Sequence, residues 1–354
     1  MDRTSHNAAE SGPPEERREL FAALRRDPAV ARIIQAWRAL TGGAAVRDPQ
    51  RRTLIACSGG ADSSALALAL AAASEHVALG HIVHDLRPPE EALADRDAVA
   101  VLAARLGVAF AQGEVEVRAG KGNQEAKARH ARYRELGRLC GDAPFLATAH
   151  QGDDQLETIL MRLLRGSGPK GLAGIRASRL LPGFGVRVIR PMLGVTRADS
   201  ERICQIAGHA WREDATNRDT TRLRAAIRAD ILPRLKALAP HAAKRAQTSG
   251  ELLAEAAELV DAAAAALLAK AVVSQDAYTW PREALRGQTT LVLGTALRLA
   301  AAKLTKDAGL DRLAWRLVRP VVEAVGDAST QPRRYHWRGV VVEVDVRGVV
   351  VKSA

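Results

Sequence analysis

Hydrophobic and polar positions follow two periods along the chain. A short apolar run, Thr53–Cys57, breaks at Ser58-Gly59-Gly60, and the Ala- and Leu-rich stretch Ser64–Ala73 then reads as a buried helix. Strand-like runs recur at Val77–Val83, Val108–Ala111, Phe145–Thr148 and Val186–Ile189. Helical spacing fills Glu90–Leu106, Asn123–Leu139 and Asp153–Arg165. Strands alternating with helices of about ten or more residues predict βαβ units, hence an α/β fold with a parallel sheet wound by helices. Upstream, Leu20, Leu24, Ile33, Ile34 and Trp37 give Arg17–Leu40 helical spacing, after a polar, Pro-bearing tail that reads as flexible. From Asp219 onward the period is helical over Thr221–Leu238, Ala242–Ala271, Arg282–Leu304 and Leu310–Val325. Tyr335–Val351 then carries two β-branched runs around Arg347-Gly348, the pattern of a β-hairpin. The expected organisation is a partly flexible extension over 1–50, an α/β domain over 51–238, and a helical domain with a short terminal β-hairpin over 239–354.

Composition narrows the classes. With 47% hydrophobic residues in 354, the chain can bury a core and is not a disordered protein. No apolar run approaches the roughly 20 residues that span a bilayer. Met1–Arg18 lacks the apolar centre of a signal peptide, so a cytoplasmic protein without membrane attachment is expected. Cys57, Cys140 and Cys204 stand far apart with no CxxC pair, which offers neither a disulfide framework nor a zinc ribbon. The formal charge of +12 points to a polyanionic partner such as nucleic acid. Much of that excess falls in Arg176–Lys236, where 13 basic residues face 6 acidic ones.

Four clusters carry candidate chemistry. Ser58, Gly59, Gly60, Ala61, Asp62 and Ser63 lie between a predicted strand and helix. Glycines let a backbone approach phosphates, and a helix start supplies oriented N–H groups. Asp62 suits such a site if Mg²⁺ lies between it and the phosphates. A plain Gly-Gly turn with a polar helix cap is the competing account. Thr148–Thr158 sits at another strand-to-helix junction. There Leu156, Ile159, Leu160, Leu163 and Leu164 mark one helix face and leave Asp154, Glu157 and Arg165 on the other. Two carboxylates three residues apart suit a metal or an ammonium group, or else an acidic first turn favoured by the helix dipole, with His150 a turn residue. His81–Arg87 ends a strand, its histidine pair more suited to packing or hydrogen bonding than to metal. In Asn123–Tyr133, Arg129 and Arg132 can clamp a phosphate or serve as surface charges. The lone GxGxxG of Gly166, Gly168 and Gly171 follows a helix and reads as a helix end and turn.

Together these motifs resemble the N-type ATP pyrophosphatases, or PP-loop family, whose signature is SGGxDS. Within it they are similar to the tRNA(Ile)-lysidine synthetases, in His81–Arg87, Asn123–Tyr133, Thr148–Gly174, Arg190-Pro191-Met192-Leu193, Asp214–Asn217 and Ile231–Leu235. The resemblance covers roughly Thr53–Leu238 and departs from the family pattern at Ala225, where Asn is frequent, and at Arg87-Pro88-Pro89-Glu90. It implies an adenine nucleotide alpha hydrolase-like domain over 51–238 and tRNA binding over 239–354. It also implies ATP as co-substrate, Mg²⁺ on Asp62, and ATP bound by Ser58–Ser63. The implied catalytic residues are Asp62, Asp154 and Glu157, with Asp154 and Glu157 binding L-lysine and His150 a candidate for ordering the site. The tRNA contacts implied are Arg129, Arg132, Arg224 and Arg228. The expected reaction joins L-lysine to C2 of the wobble cytidine of the CAU-anticodon tRNA(Ile) through an adenylated cytidine; a homodimer is left open. The alternatives are a tRNA-thiolating PP-loop ATPase, which usually needs cysteine pairs or an iron–sulfur cluster, and a basic RNA-binding protein with an inactive ATP site.

Overall fold

The computed structural model describes residues 14–85, 88–116, 124–212, 223–305, 313–327 and 331–354. Arg87, Asn123 and the Asp214–Asn217 motif lie outside them. By contacts the chain divides into two compact units, Met1–Arg165 with Gly174–Gly250, and Gly166–Ala173 with Glu251–Ala354.

In the first unit, helices α1 (Pro14–Arg26) and α2 (Pro28–Leu40) precede β1 (Thr53–Ala56), α3 (Ala61–Ala71), β2 (Val77–His84), α4 (Pro89–Leu106) and β3 (Ala109–Val115). Then come α5 (Gln124–Leu139), β4 (Phe145–Ala147) and α6 (Gly152–Leu164); the short α7 (Pro169–Leu172) belongs to the second unit. The first unit resumes with β5 (Ser178–Leu180), β6 (Arg187–Ile189), α8 (Arg197–Ile206), α9 (Leu223–Ala226), a π-helical turn (Ile227–Ile231) and α10 (Leu232–Leu238). Its six strands run in the order β3-β2-β1-β4-β6-β5. All neighbours are parallel except the pair β5–β6.

Period-2 alternation on β1 sends neighbouring side chains to opposite faces of this sheet. Ile55 joins the cluster formed with α3, α2 and α8, whereas Leu54 joins the one holding Tyr133, Leu136, Leu146 and Val188. Helix α3 is buried everywhere except at Asp62, which explains its Ala-rich composition: small side chains let it lie close to its neighbours. The N-terminal helices are built into the same core through Leu24, Ala29, Val30, Ile33 and Trp37. Trp37 Nε1 donates to Thr53 Oγ1 at the start of β1 (3.1 Å).

Strand order matters for function. The chain winds outward from β1 in one direction through β2 and β3, and in the other through β4 and β6. The crevice beyond the carboxyl ends of β1 and β4 is therefore a topological switch point, where open α/β sheets bind ligands.

The second unit contains α7, the greater part of α11 (Ala242–Ala269), β7 (Val272–Val273), β8 (Ala277–Pro281), α12 (Arg282–Leu285), α13 (Thr290–Thr305), α14 (Trp315–Gly326), β9 (Arg333–Trp337), β10 (Val340–Val344) and β11 (Gly348–Ser353). The expected hairpin is present as β10–β11, and it belongs to a larger antiparallel sheet of order β7-β8-β11-β10-β9. Strand β8 was hidden in a gap between helical stretches. Its Trp280 is buried and donates from Nε1 to the Leu267 carbonyl (2.9 Å). Among the described residues no helix is long and apolar enough to cross a membrane.

Candidate active site

Three segments of the first unit meet the carboxyl edge of the sheet. After β1 the chain turns at Gly59, whose φ of +85° is a left-handed conformation that side chains rarely adopt. Helix α3 then begins at Ala61, with Gly60 at its N-cap. Ser63 ties this loop together: its Oγ accepts from the Ser58 backbone N–H (3.1 Å) and donates to the Gly60 carbonyl (3.0 Å). The Ser58 and Ser63 hydroxyls are 3.2 Å apart. From β2, His81 Nδ1 lies 2.9 Å from the Cys57 carbonyl, so this histidine braces the loop from below. Burial pushes its pKa down, which suits a neutral ring in that role.

Asp62, on the first turn of α3, has two unlike oxygens. Oδ2 accepts from Arg197 Nη1 of α8 (2.8 Å), whereas the buried Oδ1 has no partner among the described residues. An orphaned carboxylate oxygen beside this glycine loop and helix start fits Mg²⁺, which is commonly held by one or two carboxylates plus substrate phosphates. No group of three or more His, Cys, Asp or Glu side chains forms a metal site among the described residues. The protein's share of such a site thus rests on Asp62.

The third segment is the start of α6. Gln151 caps it reciprocally: its side chain accepts from the helix, while its backbone N–H donates to Asp154 Oδ2 (3.1 Å). Asp153 accepts a 2.6 Å ion pair from Lys236 of α10. The amphipathic reading of α6 is corrected here. Glu157 is 0% exposed, whereas Leu163 and Leu164 are exposed at 59% and 65%. The reason is that two arginines reach Glu157 from the α9–π-turn segment. Arg224 Nε lies 2.9 Å from Glu157 Oε2, and Arg228 Nε lies 2.5 Å from Oε1. Each also reaches Asp154 Oδ1, at 3.3 Å and 3.2 Å. Burial, with the Glu157 charge adding to it, raises the Asp154 pKa above the ordinary carboxylate value. The structure therefore joins the two candidate lysine carboxylates to two of the candidate tRNA arginines.

Arg129 and Arg132 lie apart from that pairing, on α5, where the Arg129 guanidinium carbon stands 5.5 Å from the Tyr133 ring centre. His150 Nδ1 contacts Thr148 Oγ1 (3.0 Å). Burial and the surrounding charges of Arg190, Arg129, Arg224 and Arg132 push its pKa down to about 3. Sequence reasoning missed Arg197 and Lys236 as partners of the site. The signal for Arg197 was the Thr196–Asp199 capping box that starts α8.

The PP-loop domain model matches residues 31–235, and the chain belongs to the PP-loop family. Its relatives are proteins named tRNA(Ile)-lysidine synthase, the branch in which this chain falls. It is 36% identical to that of Novosphingobium aromaticivorans over 256 residues, covering 71% of this chain and 74% of the relative. It is 35% identical to that of Dehalococcoides mccartyi over 63% of this chain and 50% of the relative. Against the latter and that of Pseudomonas syringae, the chain spans about half of the relative's length. Among solved structures, the U34-tRNA thiolase NcsA of Methanococcus maripaludis shares the fold. Its TM-score is 0.52 at 18% identity, over 65% of this chain and 81% of that one.

Proposed function

We propose that the protein is an ATP-dependent ligase that joins L-lysine to C2 of the wobble cytidine in the CAU-anticodon tRNA(Ile), switching its codon from AUG to AUA. The observation that carries this reading is the meeting of a glycine loop suited to phosphates and a carboxylate pair, Glu157 buried and Asp154 half-buried, at one switch point. The cytosine O2 attacks the α-phosphorus of ATP, the bond to the β-phosphate oxygen breaks, and pyrophosphate leaves. The lysine ε-nitrogen then attacks C2 and loses a proton, while AMP departs with the former O2.

In this scheme Ser58, Gly59, Gly60, Ala61 and Ser63 hold the nucleotide's phosphates through backbone and hydroxyl donors. Asp62 would hold Mg²⁺, and the ion would supply positive charge that offsets the phosphates. Arg197 holds the Asp62 carboxylate in place through its 2.8 Å contact. Asp154 and Glu157 receive the lysine ammonium. One guanidinium must turn aside to admit it, and side-chain exposures of 40% for Arg224 and 45% for Arg228 leave room for that. The three thiols do not suit sulfur transfer, since all are buried and the pKa values of Cys140 and Cys204 are pushed up to about 12.

The test supplies the protein with ATP, Mg²⁺, labelled lysine and tRNA, then digests the RNA to nucleosides. A labelled cytidine derivative, lost in Asp62→Ala, is expected. Sulfide-dependent turnover, or incorporation that survives Asp62→Ala, would overturn the scheme.

A further inference from the structure

At the same sheet edge, a second group of charges is left unused by the chemistry above. Arg190 follows β6 directly, and His150 follows β4, its parallel neighbour. Arg179 sits on β5, opposite Val188 of β6, while Arg129, Arg132 and Tyr133 lie on one stretch of α5. The topology thus brings four guanidiniums from three elements around one tyrosine ring. The Arg179 guanidinium carbon stands 4.7 Å from the Tyr133 ring centre and that of Arg129 stands 5.5 Å from it. Arg190 hydrogen-bonds to Tyr133 and donates from Nη1 to the Arg176 carbonyl (2.6 Å).

Two features mark this as more than surface charge. Among the described residues none of the four arginines pairs with a carboxylate, whereas Arg197, Arg202, Arg212, Arg224 and Arg228 of the same unit do. Arg190 is only 4% exposed, yet among the described residues its buried Nε–H has no acceptor. A buried donor left unsatisfied is costly, and more so for a charged group, so an absent acceptor is implied. The adjoining imidazole is held uncharged and offers no counter-charge.

We propose that Arg129, Arg132, Arg179 and Arg190 form an oxyanion site that takes a phosphodiester of the RNA strand, positioning the nucleotide presented to the PP-loop. The ligand chemistry is an anionic group with two terminal oxygens. Planar guanidinium forks match it in bidentate fashion, and four positive charges suit the successive phosphates of an RNA strand, whereas an amino acid offers one isolated carboxylate. Tyr133, 8% exposed beneath these guanidiniums, sets their planes and is not itself a stacking surface for a base. The proposal rests on the tRNA-modifying reading above.

The test is equilibrium binding of a CAU-anticodon tRNA(Ile) transcript to the full chain at a series of salt concentrations, for wild type, Arg179→Gln and Arg129→Gln. Both variants alter residues away from the packed core, whereas Arg190→Gln removes a buried group and is read second. Each lost phosphate contact should flatten the log–log salt slope by about 0.7–0.9. The gap between wild type and variant should therefore narrow about threefold from roughly 50 to 200 mM salt. ATP affinity without RNA should stay level, a readout that misfolding would move. A raised KM for lysine with an unchanged salt slope would identify the amino-acid carboxylate as the occupant and overturn the phosphodiester assignment, as would slopes equal to wild type. If wild type itself binds no tRNA, the enzymatic reading fails instead.

Discussion

The arginine clasp on α6 makes an asymmetric prediction about stability. Glu157 is fully buried, and its two oxygens accept from Arg224 and Arg228, which keep 40% and 45% of their own side chains in water. Removing both arginines (Arg224→Ala with Arg228→Ala) leaves a buried carboxylate without a cation, at a cost of about 3–5 kcal/mol. Removing the carboxylate (Glu157→Gln) leaves two half-exposed guanidiniums that can turn to solvent. The amide still accepts one bond, so the cost is about 1–2 kcal/mol. Adding Glu157→Gln to the arginine double variant should then restore most of the loss, because the stranded charge is gone. Urea unfolding followed by circular dichroism measures all four proteins, with the transition of the first unit compared across them. A Glu157→Gln variant as unstable as the arginine double variant, or a triple variant with no recovery, would refute the argument that the buried acid dominates.

The remaining predictions test the same unit. Lysine at millimolar concentration should raise the melting temperature of the Arg224→Ala, Arg228→Ala protein more than that of wild type, since its ammonium fills the emptied carboxylates; binding only to the folded state at a hundred times Kd contributes about 2.7 kcal/mol. Asp154→Asn should raise the melting temperature at pH 7. Its folded pKa lies above the ordinary 3.8, so its contribution is full below 3.8 and lost as pH rises through the raised value; a variant gain that persists at pH 3 would contradict this. His150 has the opposite sign: with a folded pKa near 3 against 6.5, it contributes stability above pH 6.5 that is lost as pH falls toward 3. His150→Gln should therefore flatten the decline of melting temperature between pH 7 and 5, and an unchanged decline would count against the depressed value. Trp37→Ala should destabilise the first unit by about 3–5 kcal/mol, because the ring is fully buried against the start of β1; a loss below 1 kcal/mol would show that α2 is dispensable to that core.

What the sequence revealed and what it concealed divide along one physical line. The strand–loop–helix at Ser58–Ser63 was legible because its requirements are local: glycine where the backbone turns left-handed, serines that bond within six residues, and a helix that starts directly after the turn. The α/β alternation was legible for the same reason, since period 2 and helical spacing express burial one element at a time. Strand β8 escaped because five residues between helical stretches make a short signal; pairing with β11, more than sixty residues later, is what holds it. Glu157 escaped more instructively. A helical-wheel argument assumes that apolar residues face inward and charges outward, and the partners that reverse this for Glu157 come from 67 and 71 positions downstream. Asp62 likewise meets Arg197 across 135 positions. A charged residue at a strand's carboxyl end can be buried at little cost only when the topology delivers a counter-ion there. A buried acid at a switch point therefore implies cations from a later element. Arg224 and Arg228 fill that role for Glu157 of α6, and Arg190, buried without an acid among the described residues, is the place where the same reasoning calls for an anion from outside the chain.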